Sequence, residues 1–354
     1  MTTEREAGAA AARGDGHGHG PAPGHGHAHK HGHGHGGTDI DWARMADMLE
    51  REGELFAEPV GRAARWLAGL LAPAPDSGGP GPAAGQDGQD GQERQVGRDG
   101  QTAEDAAPAV RWVVDAGSGP GVFSCLLARA FPEAEVVAVD GSPELLERAR
   151  ERARREGLGD RVTARAGELP EVLAEVGDAD VVFSSRAVHH LGDQQAVLDR
   201  MAGMLRPGGL LAVAEGGLPQ RFLPRDFGLG RPGFQARLEA ATEEWFAEMR
   251  AELPGAREVV EDWPRMLSTA GLVPAGSRTF LLDLPAPLGS TAREYLYDNL
   301  AGLRDRIADR LDGQDRETLA ALVEGDACTG VLWRPDAFCL AARTVHAARA
   351  VAAR

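Results

Sequence analysis

Apolar and polar positions divide the chain into stretches of very different character. Residues 1–37 and 72–109 offer almost nothing apolar to bury. Segments so polar and so rich in Gly and Pro cannot offset the chain entropy lost on folding, so a disordered tail and a flexible linker are expected. Between them, Trp42, Met45, Met48, Leu49, Leu55, Phe56, Val60, Trp66, Leu67, Leu70 and Leu71 recur at near-helical intervals. That spacing predicts two helices broken near Pro59, the first capped by Asp39 or Asp41. This unit, residues 38–71, is expected either to form a lid over a site or to cover one side of a sheet.

From residue 110 the rhythm changes. Short apolar runs at 110–114, 136–139, 181–183 and 210–214, with a weaker one at 161–166, alternate with helical stretches such as SPELLERARERARRE and GDQQAVLDRMAGML. Short buried strands joined by helical crossovers predict a parallel sheet covered on both faces, with ligands beyond the carboxyl ends of the strands. Residues 110–216 are the expected core. Residues 217–354, with helical patterns at about 234–251, 258–270 and 289–323 and strand-like runs at 278–284 and 337–345, are expected to complete the sheet and roof the site.

Composition then narrows the function classes. The formal charge of −16 disfavours nucleic acid and anionic lipid as partners. Lys30 is the one lysine in the sequence, so the abundance of arginine reflects a coding bias and carries little functional weight. Cys125, Cys328 and Cys339 are odd in number and lack metal-ligand spacing, which predicts reduced thiols in a cytoplasmic protein. Neither an apolar leader nor a run of roughly 18 apolar residues is present, so no membrane span is expected. The pattern carries no signal for oligomeric state.

The chemistry begins at VVDAGSGPG, residues 113–121, where two valines precede Asp115 and then Gly117, Gly119 and Gly121 on a turn entering a helix. Glycine permits positive φ and close backbone approach to a ligand, and a helix N-terminus offers free N–H groups. The dinucleotide fingerprint needs a Gly or Ala three residues after its second glycine. Here Val122 stands there and the pattern is G-x-G-x-G, which argues against nicotinamide binding. One helix later AEVVAVDGS ends a second strand at Asp140, placed to accept hydrogen bonds from a ribose diol. Ser142 and Pro143 read as helix cap and first residue.

These segments resemble the class I S-adenosylmethionine-dependent methyltransferases, and three more match that family in order: ARAGELP, DADVVFSSRAVHHL and LRPGGLLAV. The match covers about residues 110–216. The resemblance implies a Rossmann-like α/β sheet of seven strands, the last antiparallel, with helices on both faces and added cap helices. It implies S-adenosylmethionine as cofactor and methyl transfer to a small-molecule acceptor. By the same resemblance Asp115, Gly117, Ser118, Gly119 and Gly121 surround the methionine part, and Asp140, with Gly141 and Ser142, holds the ribose. Gly167, Glu168 and Leu169 border the adenine, and Ser184, Ser185 and Arg186 line the passage to the acceptor. Glu168 is a departure, since the family more often has Asp there.

His189 and His190 after the fourth strand, and Glu215 ending the fifth, are candidate general bases. Helical neighbours point about 100° apart, so at most one histidine is expected to face the acceptor. Tyr295 and Tyr297 are expected either to line an acceptor pocket or to brace the added helices. Pro207, Gly208 and Gly209 read as a helix stop and turn. The rival class is a nickel, zinc or copper storage or delivery protein, built on His17, His19, His25, His27, His29, His31, His33 and His35. Against it, the tail has no cysteine and no rigid spacing. A cofactor-binding regulator without turnover is the third possibility.

Overall fold

The computed structural model describes residues 45–72 and 109–351. The histidine-rich tail, the proposed caps Asp39 and Asp41, Trp42 and the linker lie outside the described residues. Seven strands form one sheet: β1 (Trp112–Ala116), β2 (Glu135–Asp140), β3 (Val162–Ala166), β4 (Ala179–Ser185), β5 (Leu205–Arg221), β6 (Val273–Leu284) and β7 (Cys339–Arg349). Their order is β3-β2-β1-β4-β5-β7-β6. The first five run parallel, and β7 runs antiparallel to both of its neighbours. This is the sheet that the motifs imply.

The apolar runs lack strict polar alternation because both faces are covered. Val113, Val136, Val181 and Leu210 point into one core. Val114, Val137, Val182 and Leu211, each one residue on, point into the other. A period of two thus sends successive valines to opposite faces, and neither face can accept a polar residue. The first core is roofed by α2 (Ala57–Leu71), α3 (Val122–Ala130) and α4 (Pro143–Arg155), and the second by α5 (Gln194–Gly203) and α7 (Trp263–Thr269). Ahead of α2 lies α1 (Ala46–Leu55), and α6 (Phe234–Glu252) separates β5 from α7. Two more helices, α8 (Ser290–Ile307) and α9 (Gly313–Glu324), are inserted between β6 and β7. Asp315 of α9 accepts from Arg237 of α6 at 2.5 and 2.7 Å and from Arg231 at 3.1 Å, tying α9 to α6.

Several expected boundaries move, each for a local reason. The break between α1 and α2 falls at Phe56, and Pro59 sits in the first turn of α2, where its missing N–H costs no intrahelical bond. The expected helix at 258–270 begins only at Trp263, where Asp262 accepts from the Arg265 amide as a cap. The run at 289–323 is two helices with a short 3-10 turn, Ala308–Arg310, between them. Pro207, Gly208 and Gly209 do not form a turn before the fifth strand. They lie within β5, at an irregularity where the pairing with β4 shifts register. Glu215 likewise does not end β5, which runs on to Arg221 past a second irregularity after Ala214.

Of the helices at 45–71, α2 covers one side of the sheet. Leu67, Val60, Ala63 and Ala64 of α2 are buried in the first core, and Trp66 meets Phe280 of β6 at 6.1 Å between ring centroids. The other helix, α1, reaches the site through Glu52, as shown next.

Candidate active site

In a parallel sheet whose strand order reverses between β1 and β4, the crevice beyond the carboxyl ends of those strands is the place where loops diverge and a ligand can enter. The loops after β1, β2, β3 and β4 all open there. Gly117, Gly119 and Gly121 have φ of 76°, 53° and 75°. A Cβ on Gly121 would stand 2.6 Å from Cβ of Ala149, so glycine there lets α3 pack on α4. A Cβ on Gly119 would meet nothing within 4 Å. The turn therefore presents bare backbone to open space at Gly119, while the amides of Gly117 and Ser118 are anchored on the carbonyl of Val139 at 2.8 and 2.9 Å.

Asp140 ends β2 and folds over this turn. Its Oδ2 accepts from the Gly119 amide at 2.8 Å and its Oδ1 from the Ser142 amide at 2.9 Å. Burial pushes its carboxyl above the usual range, against those backbone donors. Ser142 caps α4 by accepting from the Leu145 amide, with Pro143 next, as its sequence predicts. The Gly167 amide donates to the carbonyl of Asp140 at 3.1 Å, which draws the β3 loop alongside. The Glu168 carboxylate stands against Gly141, close enough that a Cβ there would meet Oε1 at 2.7 Å. Leu169 beside it is half-buried against the second core.

Asp115 is buried, and its Oδ2 accepts from Ser124 Oγ at 2.6 Å. Burial, opposed by that hydrogen bond and reinforced by Asp140, pushes its carboxyl up to about 7. Asp115, Asp140 and Glu168 form no salt bridge among the described residues, whereas the buried carboxylates of Glu52 and Asp315 each face two arginines. The glycine turn is thus ringed by three acidic side chains lacking a cation, and Ser118 Oγ beside them is buried without a hydrogen-bond partner.

The Asp115 shift has a measurable consequence. Its folded value lies above the unfolded value of 3.8, so it favours the folded state fully below that pH and loses the contribution as pH rises through about 7. Urea unfolding at pH 5 and pH 8 is expected to show the parent losing more stability over that interval than Asp115→Asn. Equal losses would refute the assignment.

Beyond β4 the expected residues separate. Ser184 does not border the crevice: it is fully buried and its Oγ donates to the carbonyl of Ala116 at 2.8 Å, bracing β4 on β1. Ser185 Oγ is buried without a hydrogen-bond partner. Arg186 reaches into the crevice with φ of 54°, and Ala187 abuts Gly117. The histidines lie on a 3-10 turn, Val188–His190, and not on an α-helix. Their rings nevertheless come together, with centroids 4.1 Å apart and the two Nε2 atoms 3.0 Å apart.

Glu215 organises this turn. It accepts from the Val188 amide at 3.2 Å and faces His189 Nδ1 at 2.7 Å. Arg250 of α6 donates to the carbonyl of His189 at 2.5 Å, and Phe246 packs edge-on against its ring. His190 is pushed down to about 3, by burial first and then by His189, Arg186 and Arg250, so it is neutral at physiological pH.

Residues outside the family motifs complete the site. Glu52 of α1 accepts from Arg186 at 2.8 Å and from Arg343 of β7 at 2.6 Å, both on Oε1. Tyr295 of α8 is buried beside them and donates to Gln220 at 3.4 Å, with its hydroxyl pushed well above its usual range by burial. Of the two roles open to the tyrosines, Tyr295 adjoins the site, and Tyr297 packs on the first core. Ser124, Glu52 and Arg343 carry no motif. Glu52 was detectable only as an acidic residue on the apolar face that Met48 and Phe56 mark, and Arg343 only as a charge inside an apolar strand.

Residues 113–209 match a family described as Methyltransferase domain. The chain is 34% identical over 187 residues to the trans-aconitate 2-methyltransferase of Mycobacterium sp. (strain KMS), covering 51% of this chain and 66% of that protein. It is 37% identical over 107 residues to the trans-aconitate 2-methyltransferase of Methylobacterium radiotolerans, covering 30% of this chain and 38% of that protein. The chain thus spans less than two thirds of the length of these relatives. A solved geranyl diphosphate methyltransferase, in complex with GPP and sinefungin, aligns with TM-score 0.40 and 16% identity over 82% of this chain and 77% of that one.

Proposed function

We propose that the chain is a class I S-adenosylmethionine-dependent methyltransferase, which transfers a methyl group from S-adenosylmethionine to a small-molecule acceptor. The observation that carries this reading is the ring of Asp115, Asp140 and Glu168, without a salt-bridge partner among the described residues, around a glycine turn with open space at Gly119. Those groups suit a ligand with a ribose diol, an amino group and a sulfonium charge. Asp140 would hold the ribose, Glu168 and Leu169 the adenine, and Asp115 with the turn from Gly117 to Gly121 the methionine part. S-adenosylmethionine supplies, when bound, an activated methyl carbon open to in-line displacement.

The chain's own task is then to align the acceptor and take its proton. A proton on His189 Nδ1, directed at Glu215, leaves Nε2 as the accepting nitrogen; it takes a hydrogen bond from neutral His190 Nε2 at 3.0 Å, a contact that the acceptor's proton must displace. We assign His189 as general base, Glu215 as the group that fixes its tautomer, and His190 as its neighbour in the acceptor wall. Alignment contributes as well, since well-oriented intramolecular reactions gain about 7–11 kcal/mol. A small acceptor fits the acidic composition and the helices α1, α6 and α8 around the crevice. Two buried, unpaired thiols, Cys125 and Cys339, support a reducing, cytoplasmic setting. Among the described residues no helix is long and apolar enough to cross a membrane.

The test is mass spectrometry of cell metabolites incubated with the protein and methyl-labelled S-adenosylmethionine. A labelled product is expected, and cofactor binding with no product from any fraction would favour a non-catalytic regulator. With a product in hand, His189→Asn is expected to lower kcat by about 10²–10⁴-fold at unchanged cofactor affinity. An unchanged kcat would remove the base from the mechanism.

A further inference from the structure

Arg186, Arg343 and Glu52 form a charged cluster that the cofactor cradle does not use. Arg186 holds a left-handed backbone conformation that is costly for any residue with a Cβ and that clusters at functional sites. It does so directly after β4, next to the loop that abuts Gly117. Its side chain is 54% exposed, so the cluster opens to the crevice. Arg343 is 8% exposed, its guanidinium carbon lies 3.7 Å from the centre of the Phe56 ring, and its Nε has no hydrogen-bond partner.

The cluster has more donors than acceptors. A guanidinium has five N–H donors, yet both arginines converge on the single oxygen Oε1 of Glu52. Buried arginine is treated differently elsewhere in this chain: Arg152 is held by Glu50, Glu54 and Glu156 together. Two guanidiniums share one carboxylate oxygen, and the exposed Arg186 keeps planar donors unused, which is the complement of one more carboxylate. Glu215, across the crevice by the histidines, makes the surroundings less welcoming to a dianion such as phosphate.

We propose that Arg186 and Arg343 receive a carboxylate group of the methyl acceptor, so that the acceptor is a small carboxylic acid. This rests on the methyl-transfer reading above. The carboxylate docks on the donors that Glu52 leaves unused, and the rest of the acceptor then lies between Arg186 and His189, beside the cradle. Glu52, carried on α1, is the resident counter-charge, and it repels the incoming anion while holding the arginines in place.

The test begins with full-length protein titrated with S-adenosylhomocysteine, because failure at that step would overturn the methyl-transfer reading itself. The loaded protein is then titrated with benzoate, succinate and citrate, with their methyl esters, and with inorganic phosphate. At least one acid is expected to bind, at least tenfold more tightly than its ester and than phosphate. Arg343→Gln is expected to weaken that acid at least tenfold while cofactor binding persists. Glu52→Gln is expected to tighten it several-fold, because the competing charge is gone and the hydrogen-bond acceptor stays. A structural role alone would make both variants weaker. Normal cofactor binding with no acid bound, an ester or phosphate equal to the acid, an unaffected Arg343→Gln variant, or weaker binding in Glu52→Gln would each overturn the proposal.

Discussion

Replacing Asp140 by Ala is expected to weaken S-adenosylmethionine binding by at least a hundredfold. Asp140 has two jobs that one substitution removes together: its Oδ2 fixes the Gly119 amide and its Oδ1 the Ser142 amide. In the proposed reading the same carboxylate receives the ribose diol. Hydrogen bonds to a charged group contribute about 1.5–3 kcal/mol each, so losing two costs about 3–6 kcal/mol, or roughly two to four decades of affinity. Calorimetric titration of the parent and variant gives the ratio, and Asp140→Asn separates charge from shape. A ratio near one would mean that the ribose is held elsewhere.

Truncating Glu52 to Ala is expected to give the largest loss of stability among single changes at the site. The carboxylate lies between two guanidiniums, of which Arg343 is buried in β7. Removing one partner of a buried ion pair leaves an uncompensated charge and costs about 3–5 kcal/mol, here a fall in Tm of about 6–15 °C. Burial opposes ionisation of Glu52, but Arg186 and Arg343 outweigh it and hold the carboxyl below its ordinary value of 4.5. The sign follows from that direction. The contribution is present above 4.5 and is lost as pH falls through the lower folded value. Thermal unfolding at pH 7 and pH 4 is therefore expected to show a gap between parent and variant that narrows in acid. A Tm within 2 °C or so of the parent at pH 7 would show that α1 is not held this way.

The fold was legible where local chemistry decides it. Valines at successive positions of β1, β2 and β4 could only belong to strands buried on both faces, and Ser142-Pro143 could only open a helix. Boundaries set by tertiary context were not legible: nothing local to Gly208 or Glu215 shows that β5 continues through both, because that depends on pairing with β4 at the first and with β7 at the second. The residues proposed for the cradle could be picked out because they cluster at the ends of successive strands, each close in sequence to its own glycine. The acceptor side was not, because Glu52 and Arg343 are 291 residues apart and meet only after α1 folds onto β7. Ser184 misled for a related reason, since strand periodicity gives a side chain's face but not which neighbour's carbonyl its hydroxyl finds.

The central claim is that the glycine turn and the acidic side chains around it form one cradle for an adenosyl sulfonium. Titrating the full-length protein with S-adenosylmethionine, alongside Gly119→Arg, tests it most directly, because a Cβ at Gly119 meets no described atom within 4 Å and the long side chain starts in the open space before the turn, at the cost of strain from the left-handed φ of 53°. The expected result is one cofactor bound per parent chain and no detectable binding by a variant that still unfolds cooperatively. Equal binding by the two proteins, or none by the parent, would contradict it.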